Sequence, residues 1–417
     1  MTERSTSPQS AKGHAALFVF VTVAIDAIGI GIIIPVMPDL IRELTSEPLG
    51  AAALWGGYLS FVYALMQFVC GPTIGNLSDR FGRRPVLLVS LAALGVDYLV
   101  MAFAPSLWVL FIGRVLAGIA GATYSTANAF IADVSPPEKR AQNFGLIGAG
   151  FGLGFIIGPL IGGVAGEFGA RVPFMAAAGL AFVNFAYGLL VLPESLAPEN
   201  RRGFSWARAN PLGVARQIAR FPMVAWFFVA VFLFDVAHYV YPAVWSFYTK
   251  EAFAWSNAEV GLSLAVVGVG FAIVQGVLIR RIIPALGEAK TTVWGFVLSI
   301  AGLVGLAFAS EGWMVYALMP VTALGAIITP ALTGLMANQI PDDGQGELQG
   351  ALSSVMGITL IISPVMMTQL FGHYTQAGAA FYFPGAPFLA AAIHMALALI
   401  PFWIGLRRAP APADRAR

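Results

Sequence analysis

Apolar runs long enough to cross a bilayer recur along this chain from residue 15 to residue 406. An α-helix needs about 20 apolar residues to span a hydrocarbon core of about 30 Å. Twelve such runs are read, near residues 15–37, 52–75, 84–104, 106–128, 142–166, 172–192, 224–248, 258–280, 291–309, 312–337, 348–371 and 384–406. Only 11% of the residues are charged and 58% are hydrophobic, against roughly 25% charged in a soluble domain. The residue-by-residue alternation of a membrane β-barrel is absent. The expected fold class is therefore an all-α polytopic membrane protein with twelve transmembrane helices. The first apolar run continues past about 20 residues without a small-residue cleavage site, so it reads as a retained helix and not as a signal peptide. A single cysteine, Cys70, excludes an intrachain disulfide. A net charge of +2 gives no basis for a nucleic-acid partner; the expected partners are the lipid bilayer and a small solute.

The basic residues orient the spans. One set of connections carries nineteen lysines and arginines, among them Arg80, Arg83, Arg84, Lys139, Arg140, Arg280 and Arg281, whereas the opposite set carries only Arg42, Arg171 and Lys250. The positive-inside rule then places both termini and the long central connection in the cytoplasm, with the chain in the cytoplasmic membrane.

The chain also repeats itself. At a shift of 205 residues AFAPSLW (102–108) falls on AFASEGW (307–313), Gly145 on Gly350, Gly152 on Gly357, Pro159 on Pro364 and Pro136 on Pro341. Two six-helix halves built this way characterise a large class of secondary transporters. The expected division is an N-terminal half, residues 1–192, a cytoplasmic linker, 193–223, and a C-terminal half, 224–417. Within the linker, NPLGVARQIARF reads either as a surface helix with Asn210 as N-cap and Pro211 at its first position or as a solvated connection. The repeat is asymmetric in charge, because Asp97, Arg114 and Asp133 fall on Gly302, Met319 and Asn338.

Ionisable groups at membrane depth are costly and mark functional sites. Asp26 lies roughly 16 Å into the first span at about 1.5 Å per residue. Asp97 and Arg114 stand at similar depth on adjacent antiparallel spans, where they can pair. Asp235 and His238 are three residues apart on span seven and share a helix face. For each of these the alternative is a buried polar group that only fixes packing. Gly150, Gly154, Gly158 and Gly162 in span five recur every four residues, with Pro159 and Gly163 beside them, a face that lets another helix approach to backbone contact and bend at the proline. No G-x-x-x-x-G-K-[ST] occurs, so ATP is not the direct driver. No cofactor or metal is expected and no enzyme chemistry; a gradient supplies the energy.

Several stretches resemble a known family. GNLSDRFGRRPVLL (75–88) resembles the signature of the major facilitator superfamily between spans two and three, with Gly75, Asp79, Arg80, Gly82, Arg83 and Arg84 as its charged and turn positions. GFIIGPLIGG (154–163) resembles the span-five motif of its drug–proton antiporters, and LFIGRVLAG (110–118) its span-four motif, whose arginine, here Arg114, is implicated in proton transfer. IDAIGIGIIIPVMP (25–38), YALMQ (63–67) and DYLVMAF (97–103) are similar to the tetracycline-resistance efflux transporters. The resemblance implies that Asp26, Asp97 and Arg114 couple protons to transport, that Gln67 is a polar position needed for it, and that Asp79, Arg83 and Asp133 latch the cytoplasmic side shut. It also implies a monomer. The chain departs from the pattern in span eight and span nine, where a histidine and an aspartate of that group are replaced by Phe271 and Ser299, while Gln275 is retained. Asp235 and His238 do not belong to the pattern. A substrate pocket formed by Gln67, Asp235, His238, Tyr241, Trp245, Phe271 and Gln275 is expected.

The function these readings support is proton-coupled efflux of a small amphipathic compound by alternating access. The rival is a proton symporter importing a sugar or organic anion, which the span-five antiporter motif and the lack of a second buried arginine oppose. A receptor on the same scaffold is a further alternative, opposed by the gate charges and the glycine ladder.

Overall fold

The computed structural model describes residues 8–121, 123–136, 139–205, 221–341 and 344–408. It is 86% helical, with no strand among the described residues. Span one comprises α1 (Pro8–Ile33), a 3₁₀ turn (Ile34–Val36) and α2 (Met37–Thr45); spans two and three are α3 (Leu49–Phe81) and α4 (Arg83–Phe103). Span four is α5 (Leu107–Ala120) with α6 (Thr123–Val134), and spans five and six are α7 (Arg140–Gly166) and α8 (Val172–Val191). Span seven is α9 (Ala225–His238) with α10 (Val240–Phe253). Span eight is α11 (Asn257–Ile273), a π-helical turn (Val274–Leu278) and α12 (Ile279–Leu286). Span nine is α13 (Glu288–Ala307), and span ten is α14 (Gly312–Leu324), a 3₁₀ turn (Gly325–Ile327) and α15 (Ile328–Ala337). Spans eleven and twelve are α16 (Gln345–Thr375) and α17 (Ala386–Arg408). Eleven of these are long and apolar enough to cross a membrane, and the shorter Leu107–Ala120 of span four is continued by α6. The twelve-span expectation holds. The surface helix expected at NPLGVARQIARF falls outside the described residues.

Spans one, four, seven and ten, the first of each group of three, are each broken into two helices, as span eight also is by its π-helical turn, and the sequences of the four explain why. Pro35 and Pro38 remove backbone donors at the end of α1. Gly121 closes α5. In span seven Pro242 has no N–H for the carbonyl of His238, so the helix restarts at Val240 after Tyr239. In span ten Pro330 leaves the carbonyl of Ala326 without its helical donor, next to Gly325.

Several span ends run past the expectation, among them those of spans four (Val134) and eight (Leu286). Span one continues through α2 to Thr45, beyond residue 37, and ends on Ser46 in the left-handed conformation (φ 58°). GNLSDRFGRR is not an open loop: α3 continues through Phe81, a single residue, Gly82, makes the turn at φ 106°, and α4 starts at Arg83.

Two compact packing units are formed. The first takes in Met1–Ser46, Val62–Pro211 and Ser256–Gly268, the second Glu47–Phe61, Leu212–Trp255 and Val269–Arg417. In the first, α7 lies against α1 along the glycine ladder. A Cβ at Gly158 would stand 2.5 Å from the carbonyl oxygen of Ile28 and 2.8 Å from the Cα of Gly31, and one at Gly150 would stand 3.1 Å from the carbonyl of Phe20. Gly154 and Gly162 meet the backbone of Ile28 and Ile32 in the same way. Gly163 turns to α11, where a Cβ would meet the carbonyl of Asn257 at 2.5 Å. Gly152 has no atom within 4 Å. Phe18, Val23, Leu87, Leu91, Phe130 and Ile131 pack into one core beside this seam.

In the second unit the buried Phe227, Phe296 and Phe402 pack together, with ring centroids 5.9 Å apart for Phe227–Phe402 and for Phe296–Phe402. The Ser363 hydroxyl donates to the Val236 carbonyl (2.7 Å) just before the break in span seven. The first turns of α3 belong to this unit, and Gln369 donates to the hydroxyl of Tyr58 (2.7 Å).

Candidate functional site

Apart from an Arg171–Glu43 pair (2.8 Å), the paired ionisable groups of the first unit gather in two places. At membrane depth α4 presents Asp97 and α5 presents Arg114, and the Arg114 guanidinium donates to Asp97 Oδ2. Both are largely withdrawn from solvent, with side-chain exposures of 1% for Asp97 and 12% for Arg114. Gly113 makes the approach possible, since a Cβ there would stand 2.8 Å from Asp97 Oδ1. The guanidinium also lies over the Tyr63 ring, 5.3 Å from its centroid, so its charge is met by a carboxylate on one side and a π-face on the other.

Asp26 on α1 faces this pair through two tyrosines. Tyr63 is within electrostatic reach of both Asp26 and Arg114, and Tyr98 is within reach of Asp26 and Tyr63. The Tyr98 hydroxyl rests against the backbone of Gly29, at 3.4 Å from where a Cβ would stand, one turn beyond Asp26. Asp26 Oδ1 and the Tyr98 hydroxyl are both buried without a hydrogen-bond partner, as are Asp97 Oδ1 and Arg114 Nε. Buried polar atoms without partners are rare and demand an explanation. Gln67 bridges Tyr63 to the break in span four, donating to the Gly121 carbonyl at 2.8 Å and reaching the Tyr63 hydroxyl at 3.5 Å. Tyr63 and Tyr98 were not singled out among the sequence candidates, although both stand inside motif strings, YALMQ and DYLVMAF.

The second cluster forms at the Gly82 turn. Arg83 pairs with Asp79 at 2.6 Å and with Asp133 on α6 at 3.1 Å, and also donates to Ser78 Oγ at 3.1 Å. Arg84 donates instead to the Leu189 carbonyl (2.8 Å), and Arg80 lies over the Phe81 ring, 5.1 Å from its centroid. Gly75 has no atom within 4 Å, so it makes no close approach within this cluster. One member was missed in the sequence. Glu194, just past α8, accepts the backbone N–H of Arg83 (2.9 Å) and of Arg84 (3.3 Å), capping the start of α4 from 111 positions away. A side chain at residue 82 would collide with that carboxylate. Ser195 donates to Asp133 (3.1 Å), and the Arg202 N–H to the Asp79 carbonyl (3.0 Å). The only sequence signal for Glu194 is an acid directly after an apolar span.

The second unit repeats this turn with different charges. At the same shift of 205, Gly82, Arg83 and Asp133 fall on Gly287, Glu288 and Asn338. Gly287 also has positive φ (77°), and Asn338 donates to both Glu288 oxygens at 2.9 Å. An ion pair in one repeat is a neutral-to-acid hydrogen bond in the other.

Asp235 and His238 close α9 at the break in span seven. The His238 ring stacks on Phe234 (5.5 Å between centroids) and meets Tyr241 (5.6 Å) and Phe271 (6.1 Å). Tyr241 continues the series to Trp245 (6.0 Å) and Phe388 (6.1 Å). Gln275 is in the π-helical turn of span eight and is exposed, outside this ring series. Gln67 belongs to the first unit and joins the Tyr63 cluster. No group of three or more metal-ligating side chains occurs among the described residues.

Twelve membrane helices in a twofold sequence repeat, broken in the first span of each group of three and carrying carboxylates at depth, define a membrane transporter and not an enzyme. The chain belongs to the Major Facilitator Superfamily, whose family model matches residues 19–284 and 227–417. It is 40% identical over 361 residues to the class C tetracycline resistance protein of Escherichia coli, covering 86% of this chain and 90% of that one. It is 39% identical over 355 residues to the class B protein of Escherichia coli, covering 84% and 86%. Among solved structures, a bacterial homologue of the human lysosomal transporter Spinster matches with a TM-score of 0.78 at 15% identity, over 98% of this chain and 100% of that one. A human organic anion transporter matches with a TM-score of 0.68 at 22% identity, over 94% and 99%. These two show the fold.

Proposed function

We propose that this protein expels a small amphipathic, drug-like compound across the cytoplasmic membrane in exchange for protons, with both termini in the cytoplasm and the monomer as the working unit. The observation that carries the reading is Asp26, a carboxylate at mid-depth with a buried, unpartnered oxygen, facing the Asp97–Arg114 pair across two tyrosines. Carboxylates held at membrane depth without a counter-ion are groups through which protons cross. Arg114 can pair with one carboxylate at a time, so exchanging Asp97 for Asp26 changes which acid needs a proton. That alternation links proton uptake to a change in helix arrangement. The glycine seam between α1 and α7 supports the antiport direction, and the similarity to tetracycline resistance proteins supports drugs of that size as cargo. The Asp79–Arg83–Asp133 cluster serves as a latch on the cytoplasmic side, formed in one state and released in the other.

Everted vesicles that carry the protein test this. Adding substrate should release protons from the vesicle lumen, and a protonophore should abolish substrate uptake. Asp26→Asn should lower proton-driven uptake by about 100-fold or more while leaving the protein inserted, in keeping with loss of an essential proton-transfer group. Full uptake by Asp26→Asn would remove Asp26 from the proton path.

A further inference from the structure

The second unit holds an acid for which the proton cycle above has no use. Asp235 stands ten residues into α9, about 15 Å along the span at about 1.5 Å per residue. Its carboxylate is partly buried, forms no ion pair and accepts no hydrogen bond among the described residues. His238, one turn on and on the same face, is likewise without a hydrogen-bond partner. Arg114, the single lysine or arginine in the interior of a span, belongs to the first unit. Asp97 therefore has a counter-ion within its own unit, whereas no ion pair to Asp235 occurs among the described residues.

A charge at membrane depth without a partner is strongly disfavoured, so Asp235 is neutralised either by a proton or by a larger cation from outside the polypeptide. The neighbouring side chains indicate which kind. Phe234, His238, Tyr241 and Phe271 form a continuous wall of rings with centroid separations of 5.5–6.1 Å. Ring faces attract a diffuse organic cation and repel an anion. The break at Tyr239 and the π-helical turn at Val274–Leu278 lie on the two helices that carry these rings. Irregular backbone of this kind gathers at functional sites.

We infer that Asp235 and the rings of Phe234, His238, Tyr241 and Phe271 form a binding subsite for the ammonium group of an amphipathic organic cation. The carboxylate neutralises the charge and the rings hold the alkyl groups around the nitrogen. An inorganic divalent cation is a poor fit, because hard cations need six or more oxygen ligands and the wall offers carbon faces. The inference deepens the export reading by naming the charge of the cargo, and it rests on that reading for its place in transport. Binding can be measured without any transport.

The test compares benzyltrimethylammonium with its neutral carbon isostere, neopentylbenzene, by equilibrium dialysis against purified full-length protein in nanodiscs. The wild type should bind the cation about ten-fold more tightly than the isostere. Asp235→Asn should erase that preference without weakening isostere binding, which also certifies that the variant is folded, and Asp235→Glu should restore most of it. Phe271→Leu, which removes a ring and leaves the charge in place, should weaken the cation about three-fold to ten-fold. Equal affinity of the wild type for cation and isostere overturns the inference and leaves Asp235 as a proton carrier alone. So does a preference that survives in Asp235→Asn. Asp26→Asn serves as the control for the wider reading: it should block proton-driven uptake while keeping cation binding. Loss of all uptake activity in the wild type with cation preference intact would therefore refute export and spare the subsite.

Discussion

At the scale of single residues, the membrane interior of the first unit holds one pairing between unlike charges, Asp97–Arg114, and one further acid, Asp26. Removing one partner of a buried pair costs about 3–5 kcal/mol, because the other charge stays behind uncompensated. Asp97→Asn should therefore lower the thermal unfolding midpoint markedly in detergent. Adding Arg114→Gln to it should recover at least half of the loss, although proton-coupled uptake stays absent in both. A double variant no more stable than the single one would mean that Arg114 is held by other contacts. The identity of these two residues was legible in the sequence, since so few charges fall in the interior of the apolar runs that each one is conspicuous. Their neighbours were not. Tyr63 and Tyr98 read as ordinary aromatics of an apolar span until the fold brought both beside Asp26. Glu194 read as an ordinary linker residue until it was found capping α4.

At the scale of elements, glycine spacing predicts a close helix contact, and the structure assigns each glycine its neighbour. A methyl at Gly158 would press on the Ile28 carbonyl at 2.5 Å, whereas one at Gly152 meets nothing within 4 Å. Gly158→Ala should thus destabilise by about 1–3 kcal/mol, the usual range for forcing atoms into a packed seam. Gly152→Ala should be neutral or slightly stabilising, since alanine is the better helix former by about 1 kcal/mol. Thermal melts of the two variants in one detergent decide the matter, and equal losses would contradict the seam. The sequence located the ladder but could not rank its rungs, because a four-residue spacing defines a face and leaves the facing helix unnamed. Element ends were the least legible feature. Span one runs on through α2, and α3 runs on through Phe81, because helical geometry continues into polar sequence wherever a neighbour caps or covers it.

At the scale of the whole molecule, the two repeats carry the same turn with different charge. Gly82 and Gly287 both turn with positive φ, but Arg83–Asp133 is an ion pair and Glu288–Asn338 is not. Installing the second repeat's chemistry in the first, as Arg83→Glu with Asp133→Asn, should leave folding and insertion intact. It should slow transport by about ten-fold, the effect of losing roughly 1.4 kcal/mol of charge pairing in one state of the cycle. Initial uptake rates in vesicles measure this; unchanged rates would reduce the cluster to a topological anchor. By itself the sequence determined the class of the fold, the number of spans, the twofold repeat and the rare charges at depth. Each of these follows from a property of a single segment: length, hydropathy, spacing or residue type. Only the tertiary structure decided that Arg114 binds Asp97, that Asp26 is left without a hydrogen bond at one oxygen, that Glu194 belongs to the Gly82 turn and that Phe234, His238, Tyr241 and Phe271 meet as a wall of rings. Partnership depends on contacts between residues distant in the chain, and those exist only once helices have packed.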